Sequence, residues 1–590
     1  MNPTLVVLKF GSSVLADADC LPNVVHEIYR HYRRAGQVLV VVSAIGRHTE
    51  ALLDAARHWS NPPSPDTALA ELLATGEQQS AALLAMALER AGIAATLLNP
   101  AAIGLTLHGD RLDAMPVDVD VKSIRRALQA TPVVVVPGFA GVHEDGGTAL
   151  MGRGGSDLTA VFLAHALAAA ECRLVKDVDG IYDRDPAAAI ATDAADDPPH
   201  RYREVTYEDA LRVSGGLVQP KAIDYLRENA RSARVAGLLQ SKGTDIGAPA
   251  TTVGDRPPAA PFKVLLLGLG TVGQGVYDHL QRLGAFFEVI GIHVRDVNKT
   301  RDCGLPPGLL SADIGALLAR PYQVVVDVCG DAAQATAAIE ASLAAGRPAV
   351  SASKRRVARQ GAALNRLAVK GGTRFCYAAA VGGAAPMLEV LEHAMQQGAI
   401  TRLRGVLNGT CNFVLERLSQ GVAFHTAVSE ARRCGFAEAN VSRDLHGDDS
   451  ADKLRILARL AFGAASDAMP ITCEGLSPAA SGHIASRAGG NVLRQVATFD
   501  PSQGADVKLE RLPADDYLAG ACGEQNRLIV SGANGREWRV SGKGAGRWPT
   551  AEAVLADLLD IHAWLSSRAA RASRGLPDAR PRPRRRAAPA

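Results

Sequence analysis

The side chains most suited to chemistry lie between residues 435 and 463, in the second half of this 590-residue chain. Asp449 and Lys453 are four residues apart, so on a helix both can lie on the same side. Such pairs are usually surface salt bridges that contribute little. Here Glu438 and Asp444 place two further carboxylates just upstream. The group could hold the amino group of a small substrate and keep a lysine beside its oxygen.

The helix that carries this lysine can be predicted from its own sequence. Asp448, Asp449 or Ser450 can cap a helix that begins near residue 450. Its predicted apolar face comprises Leu454, Leu457, Ala458 and Ala461. Asp449 and Lys453 are therefore expected at the start of this helix.

A glycine-rich segment upstream predicts a dinucleotide site. The apolar run Val264–Leu267 is typical of a buried strand and leads directly into a GxGxxG sequence, which a helix follows. In this motif the first glycine makes the turn, the second admits the pyrophosphate and the third lets the helix pack on the strand. The residues expected at the phosphates are Gly268, Gly270, Thr271, Val272 and Gly273. A tight turn without a ligand is the alternative.

The residues after the next strand bear on the choice of nicotinamide cofactor. Asp296 would bind the ribose 2′-hydroxyl of NAD, whereas Arg295 would bind the 2′-phosphate of NADP. Lys299 and Arg301 follow closely and add positive charge. This basic excess favours NADP, and NAD stays open.

The first half of the chain contains a turn suited to binding phosphate. The first predicted strand ends in Lys9, and Gly11, Ser12 and Ser13 form a turn before a helix. Backbone N–H groups in such a turn can cradle phosphate oxygens. On its own this short pattern has little specificity.

Three further segments of the first half place charged residues beside glycines. Glu77 ends a Thr-Gly-Glu sequence that precedes a long helical stretch. In a GRGGSD sequence, Arg153 can bind a carboxylate through two hydrogen bonds and Asp157 can orient cations. Asp177 and Tyr182 follow another strand. A flexible loop is the alternative interpretation of the GRGGSD sequence.

These residues must be positioned by an α/β fold. Apolar, β-branched runs of strand length alternate with Ala/Leu-rich stretches such as 67–91 and 156–170, which predicts parallel sheets wound with helices. The predicted strands are Leu5–Leu8, Val38–Val42, Val133–Val136, Val264–Leu267, Val289–Ile292 and Val324–Val328. Residues 243–261 contain four prolines and no apolar periodicity, so we expect a linker there.

The composition narrows the class of protein. Hydrophobic residues make up 47% and charged residues 21%, which is typical of a globular protein and excludes a mostly disordered chain. Residues 566–590 hold eight arginines and one aspartate and are predicted to be a disordered basic tail. Because the whole chain carries only +3, the remainder is mildly acidic and shows no nucleic-acid footprint.

Cysteine usage and the N-terminal residues indicate the compartment. Nine cysteines are scattered without a CxxC pair, which favours a reducing environment and argues against disulfides or structural zinc. The first apolar run, Leu5–Leu8, is too short for a signal peptide or a membrane span. We therefore expect a cytoplasmic protein with no membrane partner.

Residues 262–565 resemble homoserine dehydrogenase. Six motifs occur in the family's order: GLGTVGQGV, SASK, AVGGAAP, LNGTCNFVL, the GFAEA…GDDSADK stretch and GKGAGRWPTAEAV. The resemblance implies reversible oxidation of L-homoserine to L-aspartate 4-semialdehyde with NAD or NADP. It implies that Lys453 and Lys354 are active-site lysines, that Glu438 holds the substrate ammonium, and that Asp444 and Asp449 bind substrate and steer Lys453.

The same resemblance implies two further features. Asn408, Gly409 and Thr410 would form part of the wall between cofactor and substrate. A monovalent cation would bind backbone carbonyls of a loop matched by Ala378, Val381, Gly383 and Ala385. The chain departs from the family pattern at three positions, where Ser353, Ala378 and Asn440 replace the usual Asn, Glu and an acid. These changes weaken the cation site more than the catalytic group.

Residues 1–247 resemble the amino-acid kinase fold, and most closely the catalytic domain of aspartokinase. KFG-SS, VVVSA, GE, VPGFAG, GRGGSDLTA, DVDGIYDRDP and GTDIG occur in the family's order. The resemblance implies phosphorylation of the 4-carboxylate of L-aspartate by ATP with Mg²⁺. It implies that Lys9 contacts the transferring phosphate and that Asp157 organises lysine and metal. The residues implied to bind aspartate are Glu77, Arg153 and Ser156, and those implied near the nucleotide are Gly11, Ser12, Ser13, Asp177 and Tyr182.

The kinase half departs from its family on the nucleotide side. Lys176 stands where a Thr is usual, and residues 216–220 lack a Lys and a His. Lys176 or Lys221 could compensate. The alternative is a monofunctional dehydrogenase with a degenerate, ligand-sensing or scaffolding kinase domain.

The resulting prediction is a bifunctional aspartokinase/homoserine dehydrogenase of threonine and methionine biosynthesis that forms a dimer or tetramer. The expected folds are a three-layer αβα amino-acid-kinase domain, a Rossmann domain and an α+β substrate and dimerisation domain. The expected bounds are 1–247 for the kinase domain, 248–261 for the linker, 262–395 completed by 540–565 for the Rossmann domain, 396–539 for the catalytic domain and 566–590 for the tail. The short linker leaves no room for regulatory ACT domains between the two halves.

Overall fold

The computed structural model describes residues 4–59, 66–183, 199–213, 216–254, 261–284, 286–299, 301, 304–330, 333–434, 441–477 and 491–573. The chain divides into two compact units. The first unit comprises Met1–Arg90 and Ala94–Pro258, and the second comprises Ala91–Ile93 and Ala259–Ala590. Glu438 and Asn440, most of the predicted linker's second half and most of the predicted tail lie outside the described residues.

The first unit is built on a nine-stranded sheet in the order β13-β10-β12-β11-β9-β1-β2-β6-β3. The strands from β11 to β6 in this order are parallel, and their apolar side chains are buried on both faces. A separate four-stranded sheet has the order β5-β4-β7-β8, and its strands precede and follow β6 in the sequence. The strands are β1 (Thr4–Phe10), β2 (Gly36–Val42), β3 (Ala95–Leu97), β4 (Thr106–His108), β5 (Met115–Asp118), β6 (Val133–Pro137), β7 (Ala140–His143), β8 (Thr148–Leu150), β9 (Glu171–Lys176), β10 (Tyr202–Val205), β11 (Ala233–Gly237), β12 (Thr244–Ile246) and β13 (Thr252–Val253).

Helices connect these strands and supply the rest of the first unit's core. They are α1 (Leu21–Ala35), α2 (His48–Trp59), α3 (Asp66–Arg90), α4 (Val121–Ala130), α5 (Gly155–Ala166), α6 (Tyr207–Val213) and α7 (Pro220–Glu228). The predicted helix 156–170 ends earlier, at Ala166, because Ala168 adopts a left-handed conformation with φ 50° and turns the chain toward β9.

The second unit begins with a six-stranded parallel sheet in the order β16-β15-β14-β17-β18-β19. Numbered from its own first strand, this is the 3-2-1-4-5-6 order of dinucleotide-binding sheets. The strands are β14 (Phe262–Leu267), β15 (Phe287–His293), β16 (Leu310–Ser311), β17 (Val324–Asp327), β18 (Ala349–Ser351) and β19 (Phe375–Cys376). The helices are α8 (Thr271–Arg282), α9 (Ile314–Leu318), α10 (Ala333–Ala344) and α11 (Lys354–Lys370).

A second six-stranded sheet, β21-β23-β22-β20-β24-β25, is antiparallel except for the β21–β23 pair. Its strands are β20 (Ile400–Val406), β21 (Ile471–Cys473), β22 (Val492–Asp500), β23 (Gly504–Leu512), β24 (Gln525–Gly532) and β25 (Glu537–Lys543). The accompanying helices are α12 (Met387–Gln397), α13 (Gly409–Ser419), α14 (Phe424–Arg433), α15 (Ser442–His446), α16 (Asp448–Phe462) and α17 (Arg547–Ser573). One hydrophobic core contains residues from both six-stranded sheets of the second unit, so the two sheets are packed together.

The last helix returns to the dinucleotide-binding sheet, where α17 packs against α8. It continues to Ser573, so the first eight residues of the predicted disordered tail, 566–573, are helical. Within this extension the Arg568 guanidinium donates to Gly372 O at 2.8 Å and lies over the Trp564 ring. Among the described residues, no helix is long and apolar enough to cross a membrane.

Candidate active sites

The glycine turn after β14 has the geometry of a dinucleotide site. Gly268 has φ 101°, and a Cβ there would lie 2.8 Å from Cys329 Cβ. A Cβ on Gly273 would lie 2.4 Å from Gly268 O, so this glycine lets α8 approach the strand. A Cβ on Gly270 would meet no described atom within 4 Å. Gly270 therefore borders open space at the helix start, where a pyrophosphate would lie.

The first turn of α8 is suited to bind that phosphate. Gly270 is the N-cap residue and has no side chain to accept a hydrogen bond from the backbone. The N–H groups of Thr271 and Val272 begin the helix, where the partial positive charge of the helix favours an anion. The residues present thus fit a dinucleotide.

The basic residues after β15 are exposed. Arg295, Asp296 and Lys299 lie on the surface, and Asp296 Oδ1 accepts a hydrogen bond from Asn298 N at 2.9 Å. Arg301 turns back, donating to the carbonyls of Lys299 and Asp296 at 2.8 and 2.7 Å. Arg295 and Lys299 extend from this turn beside the strand end that the ribose of a dinucleotide would approach.

Asp449 lies between two lysines in the second unit. Its Oδ1 is 2.9 Å from Lys354 Nζ, and its Oδ2 is 3.0 Å from Lys453 Nζ. Lys354 begins α11, whereas Asp449 and Lys453 lie one turn apart near the start of α16. The helix begins at Asp448 after Gly447, which has φ 96°, so the acids lie within its first turn and do not cap it by a side-chain hydrogen bond.

Lys453 is buried, with 2% of its side chain exposed, whereas Lys354 keeps 35%. The Lys453 ammonium also donates to the Leu407 carbonyl at 2.5 Å. Burial lowers the pKa of Lys453, and the charge of Lys354 lowers it further against the opposing effect of Asp449. Lys453 is thereby suited to exchange a proton with a substrate oxygen.

The pKa values of the two carboxylates in this cluster, Asp449 and Asp444, are shifted in opposite directions. Burial alone would raise the pKa of Asp449, but Lys354 and Lys453 outweigh it and hold that pKa well below its ordinary range. The pKa of Asp444 is raised, by burial and by the nearby charge of Asp449. Asn408 joins them, because its Nδ2 donates to Asp444 Oδ1 at 2.8 Å and to Asp449 Oδ2 at 3.1 Å.

The turn around Asn408 is fixed from both sides. Asn408 Oδ1 accepts the N–H of Cys411 at 2.8 Å and so caps α13. Gly409 is required by a close approach, since a Cβ there would lie 2.7 Å from Glu524 Cα. Thr410 is buried in the same first turn. The structure thus brings Lys354, Asn408, Asp444, Asp449 and Lys453 together.

A buried ion pair that sequence reasoning missed supports both parts of this site. Asp327 ends β17 and pairs with the fully buried Arg356, two residues after Lys354 on α11. Asp327 also accepts hydrogen bonds from Ser351 Oγ at 2.6 Å and Cys329 N at 3.3 Å. It therefore links the turn facing Gly268 to the helix that carries Lys354. Its position at the end of a parallel strand was the available signal.

The loop of the predicted cation site forms a tight series of turns. Ala378 O accepts the N–H of Val381 at 3.1 Å, and Ala385 O accepts that of Met387 at 2.8 Å. Gly383 has φ 55°. The Ala378 N–H is held by Asp557 Oδ2 at 3.1 Å. Ala378 O also accepts the N–H of Gly382 at 3.4 Å, whereas Ala385 O keeps one lone pair beyond its hydrogen bond from Met387.

The first unit holds a second lysine–carboxylate cluster. Asp157 Oδ1 lies 2.7 Å from Lys9 Nζ and its Oδ2 lies 2.9 Å from Lys176 Nζ, and all three side chains are buried. Burial alone would raise the pKa of Asp157, but the two lysines outweigh it and lower it. Burial and Lys9 lower the pKa of Lys176. With one carboxylate between two ammonium groups, the cluster is suited to an anionic ligand.

Glu77 lies within α3 and does not precede it, contrary to the sequence prediction. Its Oε1 accepts the N–H of Ala44 at 3.1 Å, while its buried Oε2 has no partner among the described residues. Burial raises its pKa to about 7. An orphaned buried carboxylate oxygen of this kind would be satisfied by a bound cationic group.

The other predicted kinase residues occupy the same end of the sheet. Ser156 is buried at the start of α5, whereas Arg153 is exposed before it. Ser12 and Ser13 are exposed beyond β1, and a Cβ on Gly11 would lie 2.9 Å from Lys9 Nζ.

Asp177 and Tyr182 follow β9. Asp177 is exposed, and the Tyr182 hydroxyl donates to Asp179. Burial and that hydrogen bond raise the pKa of Tyr182. Lys221, one of the two candidates for compensation, instead pairs with Asp113. Lys176 is the candidate that reaches the lysine–carboxylate cluster.

The fold and these sites define the class of protein: an amino-acid kinase domain followed by a nicotinamide-dependent oxidoreductase. The family model of the amino acid kinase family matches residues 4–237. The model described as homoserine dehydrogenase, NAD binding domain, matches 268–378, and the model of homoserine dehydrogenase itself matches 386–559. The predicted α/β architecture and both resemblances are confirmed.

Individual relatives agree with this assignment. The chain is 34% identical over 315 residues to a homoserine dehydrogenase from Synechocystis sp., covering 51% of this chain and 73% of that protein. The chain belongs to the homoserine dehydrogenase family. It is also 34% identical over 226 residues to an aspartokinase from Geobacillus stearothermophilus, covering 38% of this chain and 54% of that protein. It thus spans about half the length of that aspartokinase.

A solved structure was also found among the similar proteins. A homoserine dehydrogenase from Thiobacillus denitrificans shows 29% sequence identity and a TM-score of 0.49, covering 55% of this chain and 78% of that chain.

Proposed function

We propose that the second unit interconverts L-homoserine and L-aspartate 4-semialdehyde with NADP or NAD. The single observation that supports this best is the placement of Asp449 between Lys354 and Lys453, with Lys453 buried. When bound, the nicotinamide cofactor supplies or accepts the hydride. Everything else in the reaction is performed by the side chains of the cluster.

Lys453 is the proposed proton-transfer group. In the reducing direction its ammonium donates a proton to the oxygen of the substrate as alkoxide character develops there. In the oxidising direction its neutral amine accepts the hydroxyl proton. Asp449 and the Leu407 carbonyl hold the Nζ of Lys453 in place, and Lys354 adds positive charge beside the same oxygen.

Asp444 and Asn408 are the proposed substrate-orienting groups. The amino group of homoserine would pair with the carboxylate of Asp444 and with Glu438. Asn408 fixes Asp444 and Asp449 relative to each other, through its two hydrogen bonds. We further propose NADP as the preferred cofactor, because Arg295 and Lys299 are exposed at the end of β15.

We propose that the first unit phosphorylates the 4-carboxylate of L-aspartate with ATP and Mg²⁺. The supporting observation is the pairing of two buried lysines with Asp157 at the ends of β1 and β9. Phosphoryl transfer depends on positioning and on neutralising charge, which these ammonium groups would do. Glu77 Oε2 would accept a hydrogen bond from the ammonium of aspartate, and exposed Arg153 would bind its α-carboxylate.

The remaining proposals concern assembly, the cation and localisation. The Ala378, Val381, Gly383 and Ala385 carbonyls would hold a monovalent cation, and the chain would form a cytoplasmic dimer or tetramer. The product of the first unit is an aspartyl phosphate, which a separate reductase must convert to the semialdehyde. A cation dependence of the dehydrogenase rate and light scattering of the full chain test the first two points.

One preparation of the full chain tests both activities. Homoserine-dependent reduction of NADP and aspartyl-hydroxamate formation from L-aspartate and Mg-ATP are measured side by side. Lys453→Met should abolish the first and spare the second, and Lys9→Met the reverse. Lys508→Met and Lys122→Met, at exposed positions, are the matched controls. Dehydrogenase activity without hydroxamate would refute the kinase proposal and leave the domain a ligand-sensing or scaffolding one.

A further inference from the structure

A cavity of about 590 Å³ lies within the first unit, away from the lysine–carboxylate cluster. It is lined by Glu171 and Cys172 at the start of β9, whereas Lys176 ends that strand. The two ends of β9 are about 16 Å apart at the usual rise of a strand. Its volume is within the range of small-molecule sites, roughly 300–1,000 Å³.

The cavity combines an apolar wall with a charged rim. Ala164, Ala169 and Pro249 supply apolar surface to the cavity, and the fully buried Val161, Leu226 and Ile246 lie behind that surface. Cavities of this composition bind a ligand by its apolar body and orient it through a few polar groups. The identity of those polar groups therefore determines the ligand class.

The carboxylates that line the cavity already have partners. Arg234 donates to both carboxylate oxygens of Asp245, at 2.6 and 2.8 Å, and lies 3.7 Å from Glu171. Glu204 accepts from Thr252 Oγ1 at 2.9 Å and pairs with the exposed Arg203. The negative charges of the rim are therefore compensated within the protein.

Arg231 is the exception on this rim. Among the residues that the structure describes, no side chain pairs with its guanidinium, although its backbone is held firmly. Its N–H donates to Leu226 O at 2.9 Å, and its carbonyl accepts from the Tyr207 hydroxyl at 2.6 Å. The cavity rim thus carries one exposed arginine whose backbone is fixed and whose guanidinium has no ion pair among the described residues.

We propose that this cavity is a second binding site, for a small carboxylate with a short aliphatic body. The Arg231 guanidinium would bind the carboxylate through two parallel hydrogen bonds, and the aliphatic part would lie against Ala164 and Ala169. The site is separate from both proposed reactions. It shares α5 and β9 with the lysine–carboxylate cluster, because Asp157 and Lys176 lie at the other ends of these two elements.

Calorimetric titration of the full chain with 4-methylpentanoate tests the proposal. We expect binding that saturating L-aspartate does not displace. Arg231→Ala should weaken it at least about tenfold, the loss expected for a charge-assisted pair. Arg227→Ala is the control, since Arg227 lies in the last turn of α7, four residues before Arg231, and does not line the cavity. Ala164→Leu should also weaken binding, by filling the apolar side without a change of charge.

Three results would overturn the proposal. One is the absence of binding up to about 10 mM carboxylate, an affinity weaker than about −3 kcal/mol. Another is equal binding by the wild type, Arg231→Ala and Ala164→Leu, with their folding verified by thermal melts. The third is equally tight, Arg231-dependent binding of inorganic phosphate, which would show that the aliphatic body contributes nothing. None of these results depends on the catalytic activity of either unit.

Discussion

Lys176 Nζ lies 2.9 Å from Asp157 Oδ2 and 3.3 Å from Asp157 Oδ1, the oxygen that lies 2.7 Å from Lys9 Nζ. The structure thus places a lysine of β9 where the sequence comparison had shown a departure from the aspartokinase pattern. The three groups carry a net charge of +1 when both lysines are protonated. We propose that Lys176 supplies positive charge at the proposed phosphate site, because residues 216–220 lack the Lys and His of the family pattern.

Lys176→Met should reduce aspartyl-hydroxamate formation at least about tenfold, because one charge-assisted contact to phosphate is lost. The main effect is expected on the KM for ATP. The KM for L-aspartate should change little, since Glu77 and Arg153 are proposed to bind that substrate. Lys122→Met is the control for a lost surface charge. An increase of activity in Lys176→Met would contradict this role and identify the lysine as an inhibitor of metal binding by Asp157.

The glycines of the dinucleotide turn permit a separation of folding from cofactor binding. Gly270 has φ −82°, which alanine adopts readily, and its Cβ would meet no described atom within 4 Å. Gly270→Ala should therefore leave the melting temperature unchanged, while the new methyl group occupies the space proposed for the pyrophosphate. We expect the Kd for NADPH, measured by fluorescence titration, to rise about tenfold or more.

Two companion variants complete this experiment. Gly273→Ala should lower the melting temperature, because its Cβ would lie 2.4 Å from Gly268 O. Gly304→Ala, at an exposed position where a Cβ would meet no described atom within 4 Å, should change neither property. Wild-type NADPH affinity in Gly270→Ala would exclude a pyrophosphate at this turn.

The lowered pKa of Lys453 predicts the pH dependence of the dehydrogenase. Oxidation of homoserine requires the neutral amine, so its rate should rise with pH through a pKa below that of an ordinary lysine. Reduction of the semialdehyde requires the ammonium and should fall over the same interval. Profiles of kcat/KM against pH in the two directions measure this pKa.

Variants of the two neighbours should move that pKa in opposite directions. Asp449 raises the pKa of Lys453, so Asp449→Asn should shift the profile to lower pH. Lys354 lowers it, so Lys354→Met should shift the profile to higher pH, apart from any loss of maximal rate. Lys508→Met, the exposed control, should leave the pH profiles of both directions unchanged. Shifts of the same sign in both variants would assign the titration to another group.

Asp327 and Arg356 are predicted to act as positioning residues for the oxidoreductase. Asp327→Asn leaves a buried, uncompensated guanidinium, which costs about 3–5 kcal/mol. It also loosens the contact to Cys329 N opposite Gly268 and the start of α11. We expect a lower melting temperature and a higher KM for NADP.

The double variant Asp327→Asn/Arg356→Met tests whether the pair acts as a unit. Removing the second charge should restore part of the stability that the single variant loses. The KM for NADP should stay raised, because the link between the turn and α11 is still absent. Additive losses of stability would show that the two residues act independently.

The sequence predicted most reliably what depends on local pattern. The apolar runs matched buried parallel strands, because a strand covered on both faces excludes polar residues along its length. The Asp449–Lys453 pair followed from the helical repeat. The start of α16 was less accurate, since the left-handed conformation of Gly447 sets it and nothing in the flanking acids specifies that.

Contacts between residues far apart in the sequence could not be predicted from local sequence pattern. Arg356 and Asp327 are 29 residues apart and meet only because β17 and β18 lie side by side. The contact between Lys176 and Asp157 likewise depends on how α5 returns to β9. In each case the structure indicates the pairing through a buried charge at the end of an apolar strand, because charged residues are almost never fully buried unless they are paired.

Glu27 in α1 provides the last prediction. Its carboxylate receives two hydrogen bonds from Arg30 NH2, at 2.7 and 2.8 Å, and one from Leu239 N at 3.0 Å. His31 Nε2 lies 3.1 Å away and Arg173 NH1 3.7 Å away. Burial alone would raise the pKa of Glu27, but Arg30, His31 and Arg173 outweigh it and hold that pKa far below its ordinary range.

This depressed pKa fixes the sign of the stability change with pH. A carboxylate of this kind stabilises the fold above the pKa of an unfolded glutamate, about 4.3, and that contribution is lost as the pH falls below it. Burial lowers the pKa of His31, so the folded state also resists its protonation and loses stability from about pH 6.5 downward. Both effects make acid destabilising for the first unit.

Glu27→Gln should destabilise the first unit by about 3–5 kcal/mol at neutral pH, because it leaves Arg30 and Arg173 buried without their counter-charge. The loss relative to wild type should shrink below about pH 4, because the Glu27 carboxylate of the unfolded wild type is protonated there while that of the folded state is still ionised. Urea unfolding of the full chain at several pH values, followed by hydroxamate formation as the readout of the first unit, measures both. Glu171→Gln, at a more exposed position facing the same Arg173, is the matched control and should cost much less. A constant difference between Glu27→Gln and wild type down to pH 3 would show that the Glu27 carboxylate contributes through packing alone.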